Sequence, residues 1–184
     1  GLQYLGGDVF SCTKISSVVL GDSIDFESMQ LNGAPFVGKT VSVAAGSGKY
    51  AEENGVIYNA DKTKILFVNG SVTGELTLPG SVTEIAPYAF AGAKVSKVTL
   101  HENVTAIGKY AFMNAALTTF DFGGAPISAI EEGTFYGSKL TAIDLSGVTY
   151  VGDGAFARSA IRTFTSSGLT ELGNGVFSGC ENLD

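Results

Sequence analysis

The sequence predicts a repeat solenoid: short parallel strands on one face, short helical or 3₁₀ turns on the other, and an inserted β-hairpin. Two phrases carry this expectation. Phe90, Phe112, Phe135, Phe156 and Phe177 each close the same one, at intervals of about 22 residues, a period that marks one supersecondary unit copied along a chain. Those phrases are Ile85-Ala-Pro-Tyr-Ala-Phe90, Ile107-Gly-Lys-Tyr-Ala-Phe112, Ile130-Glu-Glu-Gly-Thr-Phe135, Val151-Gly-Asp-Gly-Ala-Phe156 and Leu172-Gly-Asn-Gly-Val-Phe177. The second phrase alternates apolar and free positions, as in Val98-x-Leu100, Phe120-x-Phe122 and Ile143-x-Leu145.

That alternation has the period of a strand with one buried face, and its β-branched and aromatic content suits a strand. The five-residue step from Ile to Phe suits a tight helical or 3₁₀ turn with both side chains inward. A strand and a turn cannot bury their apolar side alone, so neighbouring coils must stack. Stacking at about 4.8 Å per strand makes columns of Phe90-112-135-156-177, of Ile85-107-130-Val151-Leu172, and of Val98-Phe120-Ile143-Phe164.

Leu2, Leu5, Phe10, Ile15, Val18 and Leu20 fit the same frame. Phe36, with Leu31 before it and Val41 and Val43 after it, marks another repeat. The stretch from Phe36 to Phe90 is too long for one repeat, and Gly55–Asn59 and Lys64–Val68 flank a polar turn there. Two apolar runs around such a turn predict a β-hairpin, over about residues 54–70. The array resumes at Leu76, Leu78, Val82 and Ile85.

The expected organisation is one domain over residues 1–184, with repeats around Phe10, Phe36, Phe90, Phe112, Phe135, Phe156 and Phe177. Both ends fall inside repeats, so the chain reads as a fragment of a longer protein. Uncapped ends would expose apolar repeat faces and favour self-association. An apolar content of 45% is ample for a core. A net charge of −7 and a pI near 4.6 work against nucleic-acid and anionic-membrane binding, which call for a basic footprint. No apolar run approaches the roughly 20 residues of a membrane-spanning helix, and no signal peptide is visible. Cys12 and Cys180 lie at opposite ends of such a stack, out of disulfide reach, and are expected to be buried thiols.

The phrase Leu76-Thr-Leu-Pro79-Gly-Ser-Val82-Thr-Glu-Ile85-Ala-Pro-Tyr-Ala-Phe90 and the closing Phe177-Ser-Gly-Cys-Glu-Asn-Leu183 resemble the BspA-type, or Treponema pallidum-type, leucine-rich repeats. Asn54–Tyr58 with Lys64–Phe67 is similar to the hairpin often inserted in that family. The resemblance covers nearly the whole chain and departs from the pattern around residues 21–54. It implies a leucine-rich-repeat right-handed superhelix, a cell-surface or secreted location, and adhesion to host proteins or other cells. It supplies no catalytic residue, so a site must be argued from the surface.

Gly33-Ala-Pro-Phe-Val-Gly38-Lys39-Thr40 satisfies the G-x-x-x-x-G-K-[ST] spacing of a phosphate-cradling P-loop. That chemistry needs a helix after the loop, whereas Val41-Ser-Val-Ala-Ala-Gly46 is poor helix material and the repeat frame claims Phe36 for the core. Nucleotide binding is therefore the remote alternative. His101, the only histidine, has no G-x-S-x-G elbow to serve, and soft ligands are too few for zinc. No catalytic residue, metal or cofactor is expected.

The free positions of the strand face are the places where a solenoid can bind without disturbing its core. They are Lys97, Thr99, Thr119, Asp121, Ala142, Asp144, Thr163 and Thr165. Asp121 and Asp144 are expected as strand neighbours, read either as part of a solvated ladder of small polar residues or as a pair that attracts a cation or basic ligand. Tyr58 and Phe67 form a second candidate if the hairpin is exposed; the alternative packs them onto the solenoid. Asn69-Gly-Ser71 and Asn103-Val-Thr105 match the glycosylation triplet. The function expected is a non-enzymatic recognition or adhesion module for a host or cell-surface protein or glycan. The alternative is a structural spacer that presents another domain.

Overall fold

The computed structural model describes residues 4–6, 9, 10, 12–26 and 30–183. Leu2 of the expected first repeat lies outside them, as do the side chains of Leu5 and Leu31. Among the described residues the strands are β1 (Tyr4–Gly6), β2 (Ser17–Leu20), β3 (Gln30–Asn32), β4 (Thr40–Val43), β5 (Tyr50–Glu53), β6 (Val56–Asn59), β7 (Lys64–Val68), β8 (Thr73–Thr77) and β9 (Glu84–Ile85). They continue with β10 (Lys94–Thr99), β11 (Ala106–Ile107), β12 (Thr119–Asp121), β13 (Ala129–Ile130), β14 (Ala142–Asp144), β15 (Tyr150–Val151), β16 (Thr163–Thr165) and β17 (Glu171–Leu172).

These strands form a β-solenoid of about seven turns, built on the leucine-rich-repeat plan. One row contains β2, β4, β8, β10, β12, β14 and β16; a second contains β1, β3, β7, β9, β11, β13, β15 and β17. Within each row the paired neighbours run parallel, with Val98 opposite Phe120 and Ile143 opposite Phe164. Ile65, Ile85 and Ile107 align likewise across β7, β9 and β11. The aliphatic column is buried through Val151, whereas Leu172 on the last strand is exposed. Phe90, Phe112, Phe135 and Phe156 are fully buried. Their ring centroids are 4.7, 5.3 and 5.3 Å apart, and Phe177 follows at 5.6 Å. The aromatic column is one stacked spine.

The expected helical or 3₁₀ turns are absent: no helix occurs among the described residues. The backbone around each phenylalanine supplies the reason. Residues two before and two after it have positive φ: Tyr88 and Gly92, Tyr110 and Asn114, Gly133 and Gly137, Gly154 and Arg158, Gly175 and Gly179. A helix keeps φ negative and spends its amides within itself. Here alternate amides turn outward. Ala89, Ala91 and Ala93 donate to carbonyls three residues back, whereas Tyr88, Phe90 and Gly92 donate to Lys109, Ala111 and Met113 of the next coil. The arches are therefore hydrogen-bonded between coils, as the strands are. Three of the five residues at each position are glycine, the residue that adopts this conformation without a Cβ penalty.

Both strand rows break at the same coil boundary. Neither β11 with β13 nor β12 with β14 forms a ladder. The repeat from Phe112 to Phe135 is the longest of the regular array and carries Gly123-Gly124-Ala125-Pro126, whose proline has no amide to donate. The arches cross the boundary intact, with Phe112 donating to Thr134 at 2.8 Å and the Phe112 and Phe135 rings 9° from parallel.

The insertion is larger than a hairpin. β5, β6 and β7 form an antiparallel meander, and β7 then pairs in parallel with β9, so it is also a solenoid strand. Asn54 and Gly55, both at positive φ, make the β5–β6 turn, the Asn-Gly signature of a type I′ hairpin. The coil through β7 has its own aromatic ring: Phe67 lies 5.8 Å from Phe36, edge to face. Its phenylalanine comes two residues after Ile65 on the same strand, earlier than the frame expects.

Candidate functional site

The eight free positions expected on the strand face, Ala142 and the polar seven, occupy the outward sides of β10, β12, β14 and β16. Lys97 stands opposite Thr119 and Thr99 opposite Asp121, and Asp144 stands opposite Thr165. Thr119, Asp121, Ala142, Asp144, Thr163 and Thr165 are exposed, and Lys97 and Thr99 are half-buried. The inward residues between them, Val98, Phe120 and Ile143, are buried.

The row is not continuous, because the ladder break separates Asp121 from Asp144. Each carboxylate also serves its own strand end. Asp121 Oδ1 accepts the Gly123 amide at 2.9 Å. Asp144 Oδ1 accepts the Ser146 amide at 3.0 Å, the Ser146 hydroxyl, and the Thr165 hydroxyl at 2.8 Å. These bonds, the Ser146 hydroxyl foremost, hold the Asp144 carboxyl below its ordinary value. Lys97 pairs with Glu75 across β8 and β10 at 3.2 Å. The face is polar and already bonded within itself. Among the described residues no group of His, Cys, Asp and Glu could hold a metal ion.

Gly33–Thr40 makes no phosphate cradle. Phe36 is buried, a strand rather than a helix follows, and Lys39 Nζ donates to the Ile15 carbonyl at 2.7 Å. Tyr58 and Phe67 are buried too, so the insertion packs back onto the stack. His101 is half-buried. Its Nε2 lies 3.1 Å from the Pro79 carbonyl and its Nδ1 faces the Asn103 amide. Cys12 is exposed and Cys180 only partly buried, which corrects the buried-thiol expectation for both. Asn69 cannot accept a glycan: it is 2% exposed, accepts the Val41 amide at 2.7 Å, and donates to the Val41 and Gly55 carbonyls.

A set of surface tyrosines fills the opposite, arch side. The Tyr88 and Tyr110 rings stack 5.3 Å apart and 2° from parallel. The far side of Tyr110 lies over Gly133, where a Cβ would strike its ring. Tyr110 donates to Glu132 Oε1 at 2.7 Å, and Lys109 reaches Oε2 at 3.1 Å. The Glu132 bond, then burial, pushes the Tyr110 phenol up to about 12. Arg158 lies 5.9 Å over the Tyr136 ring. Both faces of Tyr110 are thus occupied by the protein, so that ring fills space rather than offering a stacking platform.

The repeats define the class of protein. The chain belongs to the BspA type leucine-rich repeat family, whose pattern matches residues 64–184 in six copies. Two solved structures are similar over all of this chain. A leucine rich cell surface protein from Faecalibacterium prausnitzii A2-165 is 21% identical with a TM-score of 0.74, the match covering 50% of that chain. The pneumococcal vaccine antigen PcpA is 21% identical with a TM-score of 0.66, the match covering 41% of that chain. At this identity the likeness shows the fold, and the chain spans half or less of those structures. No curated protein matches the chain. No helix among the described residues is long and apolar enough to cross a membrane.

Proposed function

We propose that residues 1–184 act as one leucine-rich-repeat domain, a non-enzymatic recognition and adhesion module that is secreted or held at a cell surface. It binds a host or cell-surface protein or glycan through the outward strand positions Lys97, Thr99, Thr119, Asp121, Asp144, Thr163 and Thr165. The supporting observation is the separation of roles along each strand. Buried Val98, Phe120 and Ile143 hold the coil, while the residues between them face solvent and can change without cost to the core. Family membership and the cell-surface protein of similar fold support the location.

The test is binding to immobilised host proteins and a glycan array, with the double variant Asp121→Lys, Asp144→Lys. Binding should fail in that variant and survive substitutions scattered over the arches. Equal binding by both would remove the site. A spacer role is the second reading, favoured because Lys97, Asp121 and Asp144 are already engaged within the chain. In a longer protein, replacing this stretch by other coils of equal number should then leave binding unchanged.

A further inference from the structure

In this acidic chain one position of the repeat carries a cation after five of the rings, and Glu181 after Phe177. The residues two to four places after each ring form the corner where an arch runs into the next outward strand. Lys14 follows Phe10 there, Lys39 follows Phe36, Lys94 follows Phe90, Lys139 follows Phe135 and Arg158 follows Phe156. Among the described residues the four ion pairs use other lysines: Lys62, Lys64, Lys97 and Lys109. The corner cations therefore have no carboxylate partner among the described residues. Lys39 is tethered instead to the Ile15 carbonyl.

Two clefts open along this same corner. One, of about 340 Å³, runs past Lys39, Thr40, Ser71 and Lys94 with Phe67 and Val68 as its floor, and no carboxylate lines it. The other, of about 540 Å³, runs past Lys139, Arg158, Ser138, Ser159 and Asn182, with Glu181 the only acid in its wall. Both fall in the range of about 300–1,000 Å³ usual for ligand sites. Ser138 in the second wall carries the one buried side-chain polar atom among the described residues without a hydrogen-bond partner. On the coil between them, Asn114 and Ala116 hold the equivalent positions two and four places after Phe112, and both are exposed.

We propose that this corner is a binding groove for an anionic polysaccharide carrying one carboxylate per disaccharide, laid along the stacking axis. It shares with the preceding section only the premise that this surface meets another molecule. The spacing of Lys94 and Lys139 selects the partner, since Lys39 is tethered to Ile15 and Arg158 lies over the Tyr136 ring. Lys94 and Lys139 follow rings two coils apart, a rise of about 10 Å at the usual spacing of stacked strands. That separation is close to the length of a disaccharide. An extended peptide repeats its same-face side chains about every 6.8 Å, so an acidic strand falls out of step with the cations. The hydroxyls and amide of the walls suit sugar hydroxyls between the charges.

The probe is a hyaluronate oligosaccharide of about ten sugars, titrated calorimetrically into the full chain beside polyglutamate of equal charge and neutral dextran. Hyaluronate should bind, dextran should not, and polyglutamate should bind at least about tenfold more weakly. The exposed charge reversals Lys94→Glu and Lys139→Glu together should weaken binding by tenfold or more with unchanged melting. Raising salt from about 0.05 to about 0.3 M should weaken it comparably through screening. Asp121→Lys with Asp144→Lys should leave it intact, so failure of the strand-face reading would be seen separately. The proposal falls if hyaluronate does not bind at millimolar concentration, if polyglutamate binds equally well, or if the double reversal has no effect.

Discussion

From Phe90 to Phe177 every coil repeats the contacts of the one before: a stacked ring, an inward aliphatic pair, and arch amides donated to the next coil. Between Leu20 and Val72 the chain makes the same kind of coil, but single side chains that occur once secure it. The Tyr50 hydroxyl donates to the Ile24 carbonyl and accepts the Phe26 amide. Asp22 accepts the Ser47 hydroxyl and the Gly48 amide. Asn69 bonds both polar groups of Val41 as a neighbouring strand would. Regular coils draw stability from many equivalent contacts shared between neighbours. The coil that carries the meander has no ladder to β4 and relies on polar clamps instead. The same fold can therefore be weakened in two ways, by removing volume in one half and hydrogen bonds in the other.

The largest effect expected lies in the regular half. Phe135→Ala empties the middle of the spine and should cost about 3–5 kcal/mol, as large-to-small core changes do. Phe177→Ala, at a half-buried end of the column, should cost clearly less. Urea melts of the two variants test this ordering, and equal losses would mean the coils do not act as a stack. The irregular half should show the next largest effect. Asn69→Ala leaves the Val41 amide and carbonyl unpaired in a buried setting and should cost about 2–3 kcal/mol. In the regular half Ser138→Ala deletes a buried hydroxyl with no partner and should be neutral or stabilising by up to about 1 kcal/mol. A loss at Ser138 matching that at Asn69 would erase the contrast between the halves. Tyr50→Phe, which removes the clamp to Ile24 and Phe26, should cost about 1–2 kcal/mol.

The regular half is legible in the sequence because burial writes the same residue at the same phase five times. Phe90 and Ile85 declare themselves by recurrence, as do Val98 and its column. The arches are harder to read because φ is not periodic hydrophobicity. Their usable signal is weaker, glycine recurring two residues to either side of the ring at Gly92, Gly133, Gly137, Gly154, Gly175 and Gly179, and Tyr88, Tyr110, Asn114 and Arg158 mask it. The coil through Phe67 is hidden because its ring comes early and the meander separates its strands, although Asn54-Gly55 advertises the extra turn. The strand-face positions are legible as outward. That Asp121 and Asp144 are consumed by their own turns is hinted at only by the Gly123 and Ser146 that follow two residues later. The cationic corner is invisible to net charge, which averages over every position of the repeat.

The smallest effect expected is electrostatic and probes how one coil touches the next on the arch side. Glu132 of one coil accepts Tyr110 and Lys109 of the coil before it. These bonds raise the Tyr110 phenol from 10.0 to about 12, raise the Lys109 ammonium and lower the Glu132 carboxyl. Because the folded phenol titrates above its unfolded value, its contribution to stability is complete below about pH 10 and fades as pH rises through about 12. Because the folded carboxyl titrates below its unfolded value, its contribution is complete above the ordinary carboxylate range and fades as pH falls through the lowered value. Glu132→Gln removes the charged acceptor while leaving an oxygen in place. Phenolate absorbance, taken as the difference between each protein and its Tyr110→Phe counterpart, isolates this ring from the other six tyrosines. It should show Tyr110 titrating nearer 10.0 in Glu132→Gln than in the native chain. An unchanged titration would assign the raised value to burial between Tyr88 and Gly133, so that the arch side, like the spine, would be joined by packing rather than by a clamp of its own.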